Sequence, residues 1–163
     1  TDISNGFLGT SGIVGAGMVE RGRGSIVNIT SNSALVPEAS SHVANYGGTK
    51  GYVMSLSKAL AYEWGPHGVR INCVAPGWIV PWEKDHAGEG SFWKKYGYDL
   101  FGTPEQMAKA AAEGQALYNV GNQPIRRIGR PEDIAWIAMF LASERAAHIT
   151  GQLVSVSGGS FMF

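Results

Sequence analysis

Apolar positions along the chain alternate between a helical period and short β-branched runs. Over residues 3–21, Phe7, Leu8, Ile13, Val14, Met18 and Val19 recur at near-helical spacing, which predicts a helix in spite of Gly9, Gly12, Gly15 and Gly17. Residues 25–30, Ser-Ile-Val-Asn-Ile-Thr, form a short apolar run between Gly24 and a polar cluster, the signature of a buried parallel strand. A second helix is predicted from about residue 46 to 64. On it Tyr46, Lys50, Val53 and Ser57 share one face, and Leu56, Leu60 and Trp64 share another. Gly65-Pro66-His67-Gly68 breaks this helix, and residues 69–74 read as a second buried strand that stops at Ala75-Pro76-Gly77.

The rhythm is then interrupted. Residues 78–123 depart from the strand-and-helix alternation and are rich in aromatic side chains, among them Trp78, Trp82, Phe92, Trp93, Tyr96, Tyr98 and Phe101. Within them Thr103-Pro104-Glu105-Gln106 predicts a helix start, with Thr as the cap, Pro at the first helical position and Gln closing a capping box. An insertion between a strand end and the next core helix is expected to be a substrate lid, with a packing or oligomer surface as the alternative. Pro131, Glu132 and Asp133 open a last helix whose buried face is Ile134, Ile137, Ala138 and Leu141, and residues 152–156 form a final strand. The order predicts one domain over residues 1–163, of α/β class, with a parallel sheet and right-handed crossovers.

Composition narrows the partners. Thirteen basic residues balance thirteen acidic ones without a basic block, which argues against nucleic acid or an anionic membrane. Cys73 is the single cysteine, so neither an intrachain disulfide nor a multi-cysteine metal site can form, and no metal is expected. No apolar run approaches the ~20 residues that span a bilayer, and no leader pattern opens the chain; the expected location is the cytoplasm.

The candidate chemistry lies in Asn45-Tyr46-Gly47-Gly48-Thr49-Lys50-Gly51-Tyr52. A phenol and an ammonium four residues apart on a helix lie on one face. A tyrosine hydroxyl titrates near ~10 on its own, and a neighbouring Lys+ favours the phenolate, making the pair suitable for general acid–base work. Gly47, Gly48 and Gly51 each cost a helix ~1 kcal/mol relative to Ala, so their clustering predicts a close approach by another backbone or a ligand. Ser31 and Ser33, just past the end of the first strand, are placed to donate a hydrogen bond to a carbonyl oxygen or to cap the following turn. Gly12-x-x-Gly15-x-Gly17 looks like a phosphate-cradling loop, but such a loop needs a strand before it and a helix N-terminus after it, and this stretch sits inside a helical pattern, which disfavours that reading.

Five ordered segments carry a wider resemblance: Gly24-Ser-Ile-Val-Asn-Ile-Thr-Ser31, Tyr46-Gly-Gly-Thr-Lys50, the run from Glu63 to Gly77, Arg130-Pro-Glu-Asp-Ile134 and Ile149-Thr-Gly-Gln152. Together they resemble the short-chain dehydrogenase/reductase family. The resemblance implies a Rossmann-like parallel sheet with flanking helices, NAD or NADP as cofactor, and interconversion of a secondary alcohol and a ketone. It implies that Tyr46 is the acid/base, that Lys50 lowers its pKa and holds the nicotinamide ribose, and that Ser31 polarises the reacting carbonyl. Pro76, Gly77 and Ile79 are implied to border the nicotinamide, and Asn5 is the nearest candidate for the family's catalytic Asn.

Departures from the family pattern are specific. Ser31 precedes Tyr46 by fifteen residues, longer than usual, which keeps Ser33 a rival; Pro81 stands where a Thr is frequent, and Ser157 where an Asp commonly precedes Gly-Gly. The dinucleotide-binding amino-terminal half of such enzymes is expected to be absent from this chain, which matches the family only from about the end of its fourth strand onward. The expected partners are a small apolar or cyclic alcohol or ketone, bound by Trp78, Trp82, Phe92, Trp93, Tyr96, Phe161 and Phe163, and a homo-oligomer or a complementary amino-terminal segment. A non-catalytic remnant acting as an oligomerisation module is the alternative. A serine hydrolase is disfavoured, since no nucleophile-elbow glycines surround Ser31 and His42 and His67 are unplaced as bases.

Overall fold

A computed structural model describes residues 12–36, 44–81, 86–91, 93–113 and 123–162. They fall into two compact units, residues 1–76 with 136–155 and residues 77–135 with 156–163.

The first unit is built on a parallel sheet in the order β1 (Gly24–Ile29), β2 (Val69–Pro76), β3 (Leu153–Val156). β1 and β2 run parallel in a register that sets Gly24 beside Val69 and Ile29 beside Val74. Helix α1 (12–20) precedes β1, and α2 (Ala44–Trp64) crosses from β1 to β2. β2 is the buried centre: Val69, Ile71, Asn72, Cys73, Val74 and Ala75 are all nearly inaccessible. A buried Asn must be satisfied. Asn72 Nδ2 donates to the Ile149 carbonyl at 2.9 Å, and its Oδ1 accepts from the Gln152 N–H at 3.0 Å. Arg70 donates to the carbonyls of Leu141, Ser143 and Ile149 at 2.8, 3.0 and 3.3 Å, so its cation satisfies the end of the helix that leads to β3.

α2 covers the sheet with Val53, Ser57 and Ala61, one residue per turn. Asn28 Nδ2 donates to Ser57 Oγ at 2.9 Å, and Ser57 Oγ donates to the Val53 carbonyl at 2.7 Å, a polar pin between β1 and α2. Below it Ala61, Val69 and Ile71 form an apolar cluster with Met18, Val19, Ile26, Leu60 and Trp64. Gly15 is what lets Trp64 in: a Cβ there would stand 2.1 Å from the indole ring. Of the Gly12, Gly15 and Gly17 triplet, Gly15 therefore serves helix packing, and all three lie within α1.

Strand ends differ from the sequence reading by one or two residues. β2 continues to Pro76, and β3 starts at Leu153 because the Gln152 N–H is taken by the Asn72 side chain.

The second unit has its own core of Val80, Ala87, Tyr98, Met107 and Ile128, with Trp93 packed against it. A π-turn over Trp93–Gly97 leads into α3 (Tyr98–Phe101), and α4 (Pro104–Ala112) follows. The expected capping box is present in full. The Thr103 N–H donates to Gln106 Oε1 at 2.8 Å, and the Gln106 N–H donates to Thr103 Oγ1 at 3.4 Å. Trp78 meets Trp93 edge-on at 6.3 Å, and Tyr98 donates its hydroxyl to the Pro81 carbonyl at 2.8 Å. Trp82, Phe92 and Phe163, expected in a substrate pocket, lie outside the described residues.

Helix α5 (Pro131–Ala142) starts at a latch. Arg127 donates to both carboxylate oxygens of Asp133 at 2.7 and 2.8 Å, and Asp133 also accepts the Arg130 N–H at 2.8 Å. These bonds pull the Asp133 carboxyl down from 3.8 to about 2, the Arg127 hydrogen bond contributing most. The latch therefore adds stability that is complete above the ordinary carboxylate pKa and is lost as pH falls from about 4 toward 2. Acid unfolding followed by fluorescence should show this loss, and Asp133→Asn should flatten that part of the pH–stability curve. An unchanged curve in the variant would show that the latch carries no net stability.

Candidate active site

β1 ends at a carbonyl that a lysine claims. Lys50, in the second turn of α2, donates its ammonium to the Ile29 carbonyl at 2.9 Å. Burial lowers its pKa from the ordinary lysine value, since desolvation disfavours the charge. The same Nζ lies 5.7 Å from the centre of the Tyr46 ring, as the four-residue spacing requires, and Tyr46 is 45% exposed. The ammonium thus has a main-chain acceptor below it and a phenol ring beside it.

Past β1, Thr30 is buried, with its N–H and hydroxyl both on the Val74 carbonyl at 2.8 and 3.0 Å. Ser31 follows as the cap of a short 3-10 turn, Asn32–Ala34. Its Oγ accepts the Ser33 N–H at 3.2 Å and donates to Ser33 Oγ at 3.2 Å. The structure therefore gives Ser31 the capping role as well as a position at the strand end, and it couples Ser31 to its rival Ser33. The turn rests directly on α2. A Cβ on Gly47 would meet the Ser33 carbonyl at 2.6 Å, whereas one on Gly48 would meet nothing. Only a glycine next to Tyr46 allows that approach, so the serine turn, Tyr46 and Lys50 are brought together at the carboxyl end of β1.

Of the other expected site residues, Asn5 lies outside the described residues. Pro76 ends β2 in the first unit. Gly77 and Ile79 belong to the second unit, where the Gly77 N–H donates to the Val156 carbonyl at 3.0 Å and Ile79 bridges to Gly129. Ser157 exchanges hydrogen bonds with the main chain of Phe161, which gives it a turn-closing role. Sequence reasoning missed Asn32. Its Oδ1 accepts from Ser155 Oγ at 3.1 Å, tying the serine turn to β3, while its buried Nδ2 has no hydrogen-bond partner among the described residues. The only local signal was an Asn inside a serine-rich turn.

This geometry has known relatives. The short chain dehydrogenase family model matches residues 4–84, and the Enoyl-(Acyl carrier protein) reductase model matches residues 99–160. The galactitol 2-dehydrogenase (L-tagatose-forming) of Cereibacter sphaeroides is 34% identical over 95% of this chain and 52% of its own length. The inactive 2-(S)-hydroxypropyl-CoM dehydrogenase 2 of Xanthobacter autotrophicus is 36% identical over 97% of this chain and 60% of its own. A 3-oxoacyl-[acyl-carrier protein] reductase from Brucella melitensis, solved with bound NAD, superposes with a TM-score of 0.70 at 29% identity, over 94% of this chain and 47% of that one. The α/β fold is Rossmann-like, and the chain belongs to the short-chain dehydrogenase/reductase family, whose models together span most of it. It covers about half the length of the relatives it matches.

The two glycines make a paired test. Gly47→Ala should destabilise the protein by roughly 1–3 kcal/mol, the usual cost of forcing a group into packed backbone. Gly48→Ala should be neutral or stabilise by up to about 1 kcal/mol. Urea unfolding midpoints measure both, and equal effects would mean that the serine turn does not rest on Gly47.

Proposed function

We propose that the protein works in an NAD- or NADP-dependent oxidoreductase that interconverts a secondary alcohol and a ketone, with Tyr46 as general acid/base. The observation that carries this reading is the meeting of Tyr46, Lys50 and the serine turn at one strand end, with Lys50 fixed by the Ile29 carbonyl. The donor set fits the nicotinamide-ribose end of such a cofactor. One N–H of the Lys50 ammonium is engaged by Ile29, which leaves donors for sugar hydroxyls. Bound, the nicotinamide would carry the hydride. Lys50 holds its ammonium beside the Tyr46 ring. Tyr46 takes the alcohol proton in oxidation and returns it in reduction. Ser31 orients the reacting oxygen by hydrogen bonding, and Pro76, Gly77 and Ile79 are assigned to the nicotinamide border. The substrate is assigned as apolar or cyclic, from the aromatic side chains of residues 78–123.

Among the described residues no such fit exists for the pyrophosphate. The Gly12, Gly15 and Gly17 triplet lies in α1, and the outer edge of β1 pairs with no strand among the described residues. We assign the dinucleotide-binding half to chain outside these 163 residues, covalently joined or complementary, and expect it to cover that edge. Open strand edges invite pairing. The alternative reading, a non-catalytic oligomerisation module, draws on the exposed apolar face of Trp136, Met139 and Phe140 along α5.

In the assembled enzyme Tyr46→Phe should lower kcat by 100-fold or more, at the order of magnitude expected of a lost general acid/base, while circular dichroism stays unchanged. Lys50→Ala should lower both kcat and cofactor affinity, and Ser31→Ala should cost more turnover than Ser33→Ala. Near-full activity in Tyr46→Phe would rule out the assignment. Complete inactivity of the unmutated assembled enzyme toward an alcohol panel would favour the module. Cofactor titration with intact-mass analysis tests the missing half: a monomeric 163-residue species that binds NAD(P) tightly would overturn it.

A further inference from the structure

At the end of the sheet opposite Tyr46, the first unit opens a cavity of about 620 Å³. Its walls are the turn after α1, the turn before β2 and the segment that joins α5 to β3. The lining carries Arg21, Arg23, Arg70 and His148 against a single acid, Glu144. The chain as a whole is charge-balanced, so composition does not account for three arginines meeting there.

A solvated arginine face is the ordinary reading of such a cluster. Two features distinguish this one. Arg21 and Arg23 are exposed and have no acidic partner among the described residues, whereas Arg127 in the second unit is paired with Asp133. Arg70 spends its guanidinium on three backbone carbonyls, which fixes its position and pairs it with no carboxylate among the described residues.

The walls are also held in place. Gly22 and Gly68 both adopt left-handed φ, 68° and 75°, and a Cβ on Gly68 would stand 2.3 Å from the Gly22 carbonyl. The Gly24 N–H donates to the Gly68 carbonyl at 3.2 Å, and the Arg23 N–H donates to the Met18 carbonyl at 3.2 Å. The turn that presents Arg21 and Arg23 is thus pinned to the turn that leads into Arg70. On the far wall Thr150 Oγ1 accepts the Ile71 N–H at 3.0 Å, which fixes its hydroxyl with the proton left to donate.

We infer that this cavity binds a phosphate group, free or carried on a small molecule, between Arg21, Arg23, Arg70 and the Thr150 hydroxyl. Guanidinium forks match the paired oxygens of phosphate. A phosphate monoester carries about −1.5 to −2 at neutral pH, which suits three arginines opposed by one glutamate better than a monocarboxylate does. The cavity volume falls in the ~300–1,000 Å³ range of small-molecule sites, so a phosphate ester fits as readily as the bare ion. The site lies roughly 15–20 Å from the Ile29 end of β1, the length of six residues of strand, and is separate from the catalytic groups. An occupant would tie the α1–β1 turn to the segment leading into β3.

Isothermal titration calorimetry of the full protein with inorganic phosphate, glucose 6-phosphate and sodium acetate tests this. At least one of the two phosphate compounds should bind one to one, and acetate should not. Glucose 6-phosphate binding more tightly identifies a phosphate ester as the ligand, and inorganic phosphate binding more tightly identifies the free ion. Arg21→Gln/Arg23→Gln should weaken the interaction about tenfold or more, as loss of charge-assisted hydrogen bonds predicts. Glu144→Gln should tighten it, a gain that misfolding cannot mimic, and Tyr46→Phe should leave it unchanged. Failure of both phosphate compounds to bind at millimolar concentration, or equal affinity in the double arginine variant, would overturn the inference.

Discussion

The arrangement of the first unit depends on the polar side chains of its most buried strand. β2 needs apolar residues to fill the space beneath α2, yet it carries Arg70 and Asn72. Neither can be buried unsatisfied, because an unpaired buried amide costs ~1–3 kcal/mol and a charge more. Their partners all lie on residues 141–152, so the requirement that they be satisfied dictates where the end of α5 and the start of β3 must sit. The Asn72 side chain does for Gln152 what a ladder bond would otherwise do. The third strand is therefore positioned by these side chains together with the backbone bonds that Gly151 and Gln152 make to Ile71 and Cys73.

The arrangement around Tyr46 and Lys50 follows from the other neighbour of β2. β1 is fixed in register along β2, and the Asn28 to Ser57 bond carries that register into α2. Once the helix is set along its length, its first turns have no freedom. Lys50 falls on the last carbonyl of β1, and Gly47 falls under the serine turn. A main-chain carbonyl is a suitable anchor for this ammonium. A carboxylate would hold it more strongly but would cancel its charge.

Features decided within a few residues were legible in the sequence. The Thr103 and Gln106 capping box, the start of α5 at Pro131 and the break at Gly65-Pro66 are local chemistry, and the three strands were recognisable from short β-branched runs. The shared face of Tyr46 and Lys50 follows from helix geometry alone. Features that couple distant residues were not legible. Nothing local distinguishes Gly47, which faces a carbonyl, from Gly48, which faces space, and nothing marks Arg70 as the cap of a helix 71 residues later. The aromatic segment invited a pocket reading for Trp93 among others, and Trp93 packs against the second unit's own core and the Tyr98 ring. Counting aromatics does not separate those that line a site from those that hold the lining up.

The single cysteine has a practical consequence. Cys73 sits in the middle of β2, 2% exposed, and burial pushes its thiol pKa up, so in the native state it is shielded from alkylation both by occlusion and by the scarcity of thiolate. Reaching it requires β2 to leave its neighbours, which means opening the sheet as a whole. The rate at which the folded protein reacts with a thiol reagent under native conditions is then a clock for sheet opening. It needs no engineered label, and it offers a direct way to ask whether a ligand or a partner chain holds the sheet shut.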